Sequence, residues 1–124
     1  MRIVIQRVTR ASVSIEGRVE SAIEKGMMVL LGVGYADTDN DIDWLVKKTI
    51  NLRIYDDSEG VMNLSVKDVE GDILVVSQFT LMASCKKGNR PSYIHAASPD
   101  VSVPLYEQFC KRLSEALEKP VATG

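Results

Sequence analysis

The sequence predicts an α+β domain, with a mostly antiparallel sheet and two covering helices. Two observations carry this reading. Several apolar, β-branched segments are joined by hairpin-length turns, and two other segments repeat their apolar residues at helical spacing. At 124 residues the chain has the size of one domain, residues 1–124, large enough for a real core but too small for two. No repeat, linker or low-complexity segment interrupts it.

Residues 2–8 (RIVIQRV) and 11–15 (ASVSI) are β-branched with partial period-two alternation, and Glu16-Gly17 offers a turn into RVESAI. That pattern reads as a strand followed by a hairpin. After Lys25-Gly26 the run MMVLLGVG is apolar throughout, the signature of a central strand buried on both faces. The period then changes. Ile42, Leu45, Val46, Thr49, Ile50 and Arg53 lie at i, i+3, i+4, i+7, i+8 and i+11 behind an Asp/Thr/Asn cluster suited to N-capping. A helix is expected from residue 39 or 40 to 51.

Asp56 to Gly60 is turn chemistry, and VMNLSV is a short alternating strand. Gly71-Asp72 introduces ILVVSQFTL, a second strongly apolar strand. Residues 84–100, with Gly88, Pro91, Pro99 and several serines, read as a long loop of the kind that commonly carries function. From Ser102, the spacing of Val103, Tyr106, Phe109/Cys110, Leu113 and Ala116/Leu117 predicts a second amphipathic helix, stopped by Pro120.

Fifteen Lys and Arg face 17 Asp and Glu, so the protein as a whole is no polyanion binder, and any nucleic-acid contact needs a local patch. Cys85 and Cys110 are far apart and form no Cys-x-x-Cys pair, which argues against zinc and suits a reducing cytoplasm. The N-terminal residues lack an apolar signal segment, and no run reaches the roughly 18 apolar residues of a membrane span. A cytoplasmic protein without a membrane partner is expected.

Ser77, Thr80, Ser84 and Cys85 cluster near the end of the second apolar strand, where side chains leave the core. A hydroxyl needs a base to become a nucleophile. The only histidine, His95, sits in the loop, and no Gly-x-Ser-x-Gly elbow occurs. The residues therefore argue against a Ser-His-Asp triad. Asp56, Asp57 and Glu59 form a turn, while Asp37, Asp39, Asp41 and Asp43 flank a helix start, where negative charge is favoured. Neither set follows a calcium-loop register, so no metal and no cofactor is expected.

Between Met82 and Pro99, Lys86, Lys87 and Arg90 stand without any acidic residue. They suit a phosphate or a nucleic-acid backbone, and equally a solvated loop; spacing alone does not separate the two. A site at the strand end would have to work through backbone N–H groups and a hydroxyl of the substrate, which suits hydrolysis of an already activated ester.

The segments MRIVIQRVTRASVSIEG, MMVLLGVG, DWLVKKTINLRIYDD, MNLSV, VVSQFTL, KKGNRPSY, PLYEQF and PVATG occur in that order along the whole chain. In this the chain resembles the D-aminoacyl-tRNA deacylases. The resemblance implies a barrel-like, mostly antiparallel sheet in a cytoplasmic homodimer. It implies hydrolysis of the ester between tRNA and a D-amino acid, or glycine mischarged on tRNA(Ala), with aminoacylated tRNA as the partner and no DNA. Ser77, Gln78, Phe79 and Thr80 match the family's catalytic signature, followed by Leu81 in the substrate pocket. Thr80 is then either a nucleophile or, as the missing base favours, a pocket residue, with main-chain groups holding the substrate and the tRNA 2′-hydroxyl assisting.

Gly88, Arg90 and Pro91 match the second signature, with Asn89 where many relatives are basic. Lys86, Lys87 and Arg90 become candidates for the tRNA backbone, and Arg7 matches a position that supports chiral selection. An alternative is a tRNA-binding protein without catalysis. Relatives continue past PVATG into a strand with an Asn-x-Gly-Pro-Val-Thr motif, whose Gly–Pro bond is cis and which excludes L-side chains. The chain here ends at Gly124. A shortened deacylase is expected, with weakened activity, chirality filter and dimer, and with an open sheet edge.

Overall fold

The computed structural model describes residues 1–124. Strands β1 (Arg2–Val8), β2 (Ala11–Ile15), β3 (Arg18–Ile23) and β4 (Gly26–Gly32) precede helix α1 (Asp39–Asn51). Then come β5 (Tyr55–Asp56), β6 (Met62–Leu64), β7 (Asp72–Ser77), a 3-10 turn (Phe79–Met82), helix α2 (Pro99–Leu117) and β8 (Ala122–Thr123). The main sheet has the order β1-β4-β7-β8, while β2–β3 and β5–β6 form separate two-stranded ladders.

Strand β4 is the spine of the sheet. It pairs antiparallel with β1 (Ile3↔Leu31, Ile5↔Val29) and parallel with β7 (Met27↔Ile73, Val29↔Val75, Leu31↔Ser77). One face of the ladder carries Met27, Val29, Leu31, Ile73 and Val75, all buried against the helices. From α1, Ile42, Val46 and Ile50 meet this face, and from α2 come Phe109, Leu113 and Leu117. Full burial of such a side chain contributes roughly 1.5–3 kcal/mol, so this layer is the main source of stability. On the other face Leu74 is buried, and β3 packs against β7 and β8. Val4 is exposed there, and Leu30 and Val76, which flank the same ladder, are half-buried.

Helix α1 begins where capping chemistry puts it: the Asp41 carboxylate accepts the Thr38 N–H at 2.8 Å. Its start and end match the helical spacing of the sequence. Helix α2 begins three residues before the expected Ser102, because Ser98 followed by Pro99 is itself a helix-start pair. It ends at Glu118, whose φ of 66° is left-handed, ahead of Pro120. None of the helices is long and apolar enough to cross a membrane.

The α+β class and the two covering helices are as expected, and closure of the sheet into a barrel is not seen. Strand β8 pairs through two residues only, Ala122 and Thr123, and β1 has no partner beyond β4, so the sheet stays open at both edges. It is also mixed rather than antiparallel at its centre, because the connection carrying α1 returns the chain parallel to β4. A further departure concerns ILVVSQFTL. The strand stops at Ser77, which pairs with Leu31 one residue before β4 itself ends at Gly32.

Phe109 is fully buried in the middle of the core. Its replacement by alanine should destabilise the protein by about 3–5 kcal/mol, read as a lowered urea midpoint, whereas Val103→Ala on the outer side of the same helix should stay within about 0.5 kcal/mol. Equal effects of the two would contradict this packing.

Candidate active site

The end of β7 is built by the end of β4. Gln78 still donates its N–H to the Leu31 carbonyl at 2.8 Å, one step beyond the ladder, and the chain then coils into the 3-10 turn. Gly32 permits this: a Cβ there would lie 2.9 Å from the Leu81 Cβ and 3.1 Å from the Gln78 carbonyl. Arg2, across from Gly32 on β1, donates to the Leu81 carbonyl at 2.8 Å and fastens the turn from the other side.

In a 3-10 turn the first N–H groups have no partner inside the turn. Leu81 donates its N–H to the Gln78 carbonyl and Ala83 to the Thr80 carbonyl, whereas the N–H groups of Phe79 and Thr80 come before the turn's first bond and find no acceptor within it. The Gln78 amide donates to the Thr80 hydroxyl. The only partner of the Thr80 hydroxyl is the Gln78 amide, with no histidine, carboxylate or lysine among its hydrogen bonds. The arrangement offers main-chain donors to an oxygen that gains negative charge, and no activated side-chain nucleophile.

The aromatic edge of Phe79 meets Tyr93, with centroids 5.3 Å apart and planes at 60°. Phe79 and Tyr93 are both exposed, so this pair lies at the surface beside the end of β7. It also joins the two sequence signatures. Ser84 and Ser92 exchange two backbone hydrogen bonds of 2.8 Å, pinching residues 85–91 into a closed loop. Against this loop Ser84, Lys86, Lys87, Asn89 and Arg90, with His95 beyond it, line a cavity of about 540 Å³, with Gly88 in its wall. Pro91 stiffens the return limb and is exposed.

The structure therefore gathers Ser77, Gln78, Phe79, Thr80 and Leu81 at one end of the sheet, beside Lys86, Lys87, Gly88, Arg90 and Pro91. Arg7 is not with them. It pairs with Met27, four residues along β1 from the Ile3–Leu31–Ser77 row, roughly 13 Å away at strand spacing. There it donates to the Ile54 carbonyl at 2.8 Å and pairs with Asp56 at 3.4 Å. Beside it, burial pushes the Tyr55 phenol up to about 12.

Sequence reasoning missed Arg2, Tyr93 and Asp37. Asp37 accepts the Gly34 N–H at 2.6 Å and pairs with the amino group of Met1, holding the segment that leads from β4 into α1. Only the pairing of β1 with β4 could have signalled Arg2. Cys85 is exposed, whereas burial pushes the Cys110 thiol up to about 11 and keeps it neutral. No three His, Cys, Asp or Glu side chains stand where they could share an ion.

Comparison with known proteins shows the family of the chain. Residues 4–124 match the model of the D-Tyr-tRNA(Tyr) deacylase family. The chain is 65% identical over all its 124 residues to the D-aminoacyl-tRNA deacylase of Bacteroides fragilis (strain YCH46), covering 83% of that protein. It is 57% identical, at the same coverage, to the D-aminoacyl-tRNA deacylase of Flavobacterium johnsoniae. Among solved structures, the c-Myc DNA Unwinding Element Binding Protein superposes with a TM-score of 0.92 at 38% identity, over 100% of this chain and 85% of that one. A probable eukaryotic D-amino acid tRNA deacylase shares the fold, with a TM-score of 0.77 at 21% identity over 94% of this chain and 68% of its own. The chain belongs to the D-Tyr-tRNA(Tyr) deacylase family.

Gly32→Ala tests the construction of the site. The added methyl forces Leu81 away from β4, so kcat/KM for the family reaction should fall at least about tenfold while the circular dichroism spectrum is unchanged. Full activity in this variant would show that the turn does not depend on its seat against β4.

Proposed function

We propose that the chain performs its family's reaction, hydrolysis of the ester between a D-amino acid and tRNA, through main-chain donors at the end of β7. The observation that carries this reading is the pair of N–H groups, Phe79 and Thr80, without an acceptor in the turn and beside a loop of three cations with no acidic neighbour. Water adds to the ester carbonyl carbon, and the carbonyl oxygen becomes an oxyanion accepting from these N–H groups. The carbon–oxygen bond to the ribose then breaks, and the leaving ribose oxygen takes the proton given up by the attacking water. The ribose hydroxyl next to the ester, carried by the substrate, positions the water where the protein has no base. Thr80 is a pocket residue and not the nucleophile. Lys86, Lys87 and Arg90 hold the tRNA backbone.

Glycine, which has no side chain to exclude, fits the same pocket when it is mischarged on tRNA(Ala). A homodimer is the assembly we propose. Its support is the incompletely covered second face of the sheet, where Val4 is exposed and Leu30 and Val76 are half-buried. It would also give a role to Arg7, which lies far from Ser77 within one chain and would serve the site of the other.

The reading predicts faster release of D-tyrosine than of L-tyrosine from charged tRNA. Equal rates, or no release, would reject it. Thr80→Ala should lower kcat by no more than about tenfold, since only an essential nucleophile makes such a change cost several orders of magnitude.

A further inference from the structure

Helix α1 buries Ile42, Val46, Thr49 and Ile50 and turns its opposite side to solvent. On that side Trp44, Lys47, Lys48 and Asn51 follow at i, i+3, i+4 and i+7, the spacing of one helix face, and together line a shallow cavity of about 190 Å³. Trp44 is 61% exposed, an unusual position for the chain's only tryptophan. The Lys48 ammonium lies 5.5 Å from its ring centroid. That contact accounts for Lys48 alone. It leaves Lys47 and most of the ring open to solvent.

The acidic residues of the helix are engaged elsewhere: Asp39 and Asp43 pair with Arg112, and Asp41 accepts from Thr38. The face thus presents an aromatic surface, two cations and an amide, with no carboxylate among its lining residues. A π-surface next to cations is the recognition chemistry of unpaired nucleotides, whose bases stack and whose phosphates pair with cations. The helix also starts beside the site. Gly34 pairs with Ala96 and lies against the Met82 side chain, which closes the 3-10 turn. The next residue, Tyr35, donates its N–H to the His95 carbonyl at 3.3 Å, and α1 begins at Asp39. From Asp39, Trp44 lies about 8 Å and Asn51 about 18 Å along the axis.

We infer that this face holds the unpaired nucleotides preceding the terminal adenosine of tRNA, one base stacking on Trp44 and the adjoining phosphates meeting Lys47 and Lys48. The inference rests on tRNA being the substrate, as proposed above. It assigns to α1 a second contact with the same molecule, outside the pocket where the ester is cleaved.

The test compares Trp44→Ala and Lys47→Gln/Lys48→Gln with the parent on three probes: uncharged tRNA, uncharged tRNA with the unpaired 3′ end removed, and D-tyrosyl-adenosine. Both variants should bind intact tRNA at least about fivefold more weakly, and the double lysine variant should lower the slope of log affinity against log salt by about 1.4. Binding of the trimmed tRNA should not change between parent and variants, nor should cleavage of D-tyrosyl-adenosine. Equal weakening on trimmed tRNA, unchanged binding of intact tRNA, or a change of oligomeric state in Trp44→Ala would overturn the inference. Because tRNA binding is read without turnover, a parent that binds but does not cleave D-tyrosyl-adenosine would reject the deacylase reading and leave the binding comparison to decide this one.

Discussion

The parallel pairing of β4 with β7 is the constraint on which the rest of the molecule depends. It requires a crossover, and the crossover carries α1, which with α2 covers one face of the sheet. It also fixes where β7 ends. The last shared hydrogen bond, from the Gln78 N–H to the Leu31 carbonyl, aims the next residues into a turn with open N–H groups. Tyr106 of α2 donates to the Val75 carbonyl at 3.1 Å, so the helix layer and the strand end are tied together. Packing and site are therefore two consequences of one ladder.

In the proposed mechanism the chemistry lies in the main chain. Side chains then have supporting tasks: Gly32 leaves room, Arg2 fastens the turn, Gln78 holds the Thr80 hydroxyl, and Phe79 with Tyr93 joins the strand end to the basic loop. The proposed mechanism tolerates the lack of a nearby base because an ester is a reactive substrate that brings its own neighbouring hydroxyl. The exposed cations are not diluted by the protein's net negative charge, since no acidic residue stands between Met82 and Pro99.

Much of the fold was legible in the sequence. Helix α1 was marked at both ends by a capping cluster and a sustained 3.6-residue period, and β4 by an apolar run closed by glycines. What periodicity could not show was how far ILVVSQFTL stays a strand, because its last pair, Ser77 with Leu31, depends on a distant segment. Nor could it show that the sheet stays open, since closure depends on pairing between distant edges. The site was half legible. A polar strand end without a base, followed by Lys86, Lys87 and Arg90, could be read directly. Free backbone N–H groups have no side-chain signature, and Arg2 and Tyr93 act through contacts that only the fold creates. Arg7 could be placed in the chain but not in space: four steps along β1 separate it from the row that ends in Ser77.

In the proposed mechanism, main-chain donors and the substrate's own hydroxyl replace a catalytic side chain. The most direct measurement is the rate of hydrolysis of D-tyrosyl-tRNA whose terminal nucleoside lacks the hydroxyl next to the ester, compared with the normal substrate at saturating enzyme. A fall of at least about a hundredfold is predicted, the scale of a lost proton-transfer or positioning group. An unchanged rate would contradict this mechanism and return the search to a side-chain catalyst.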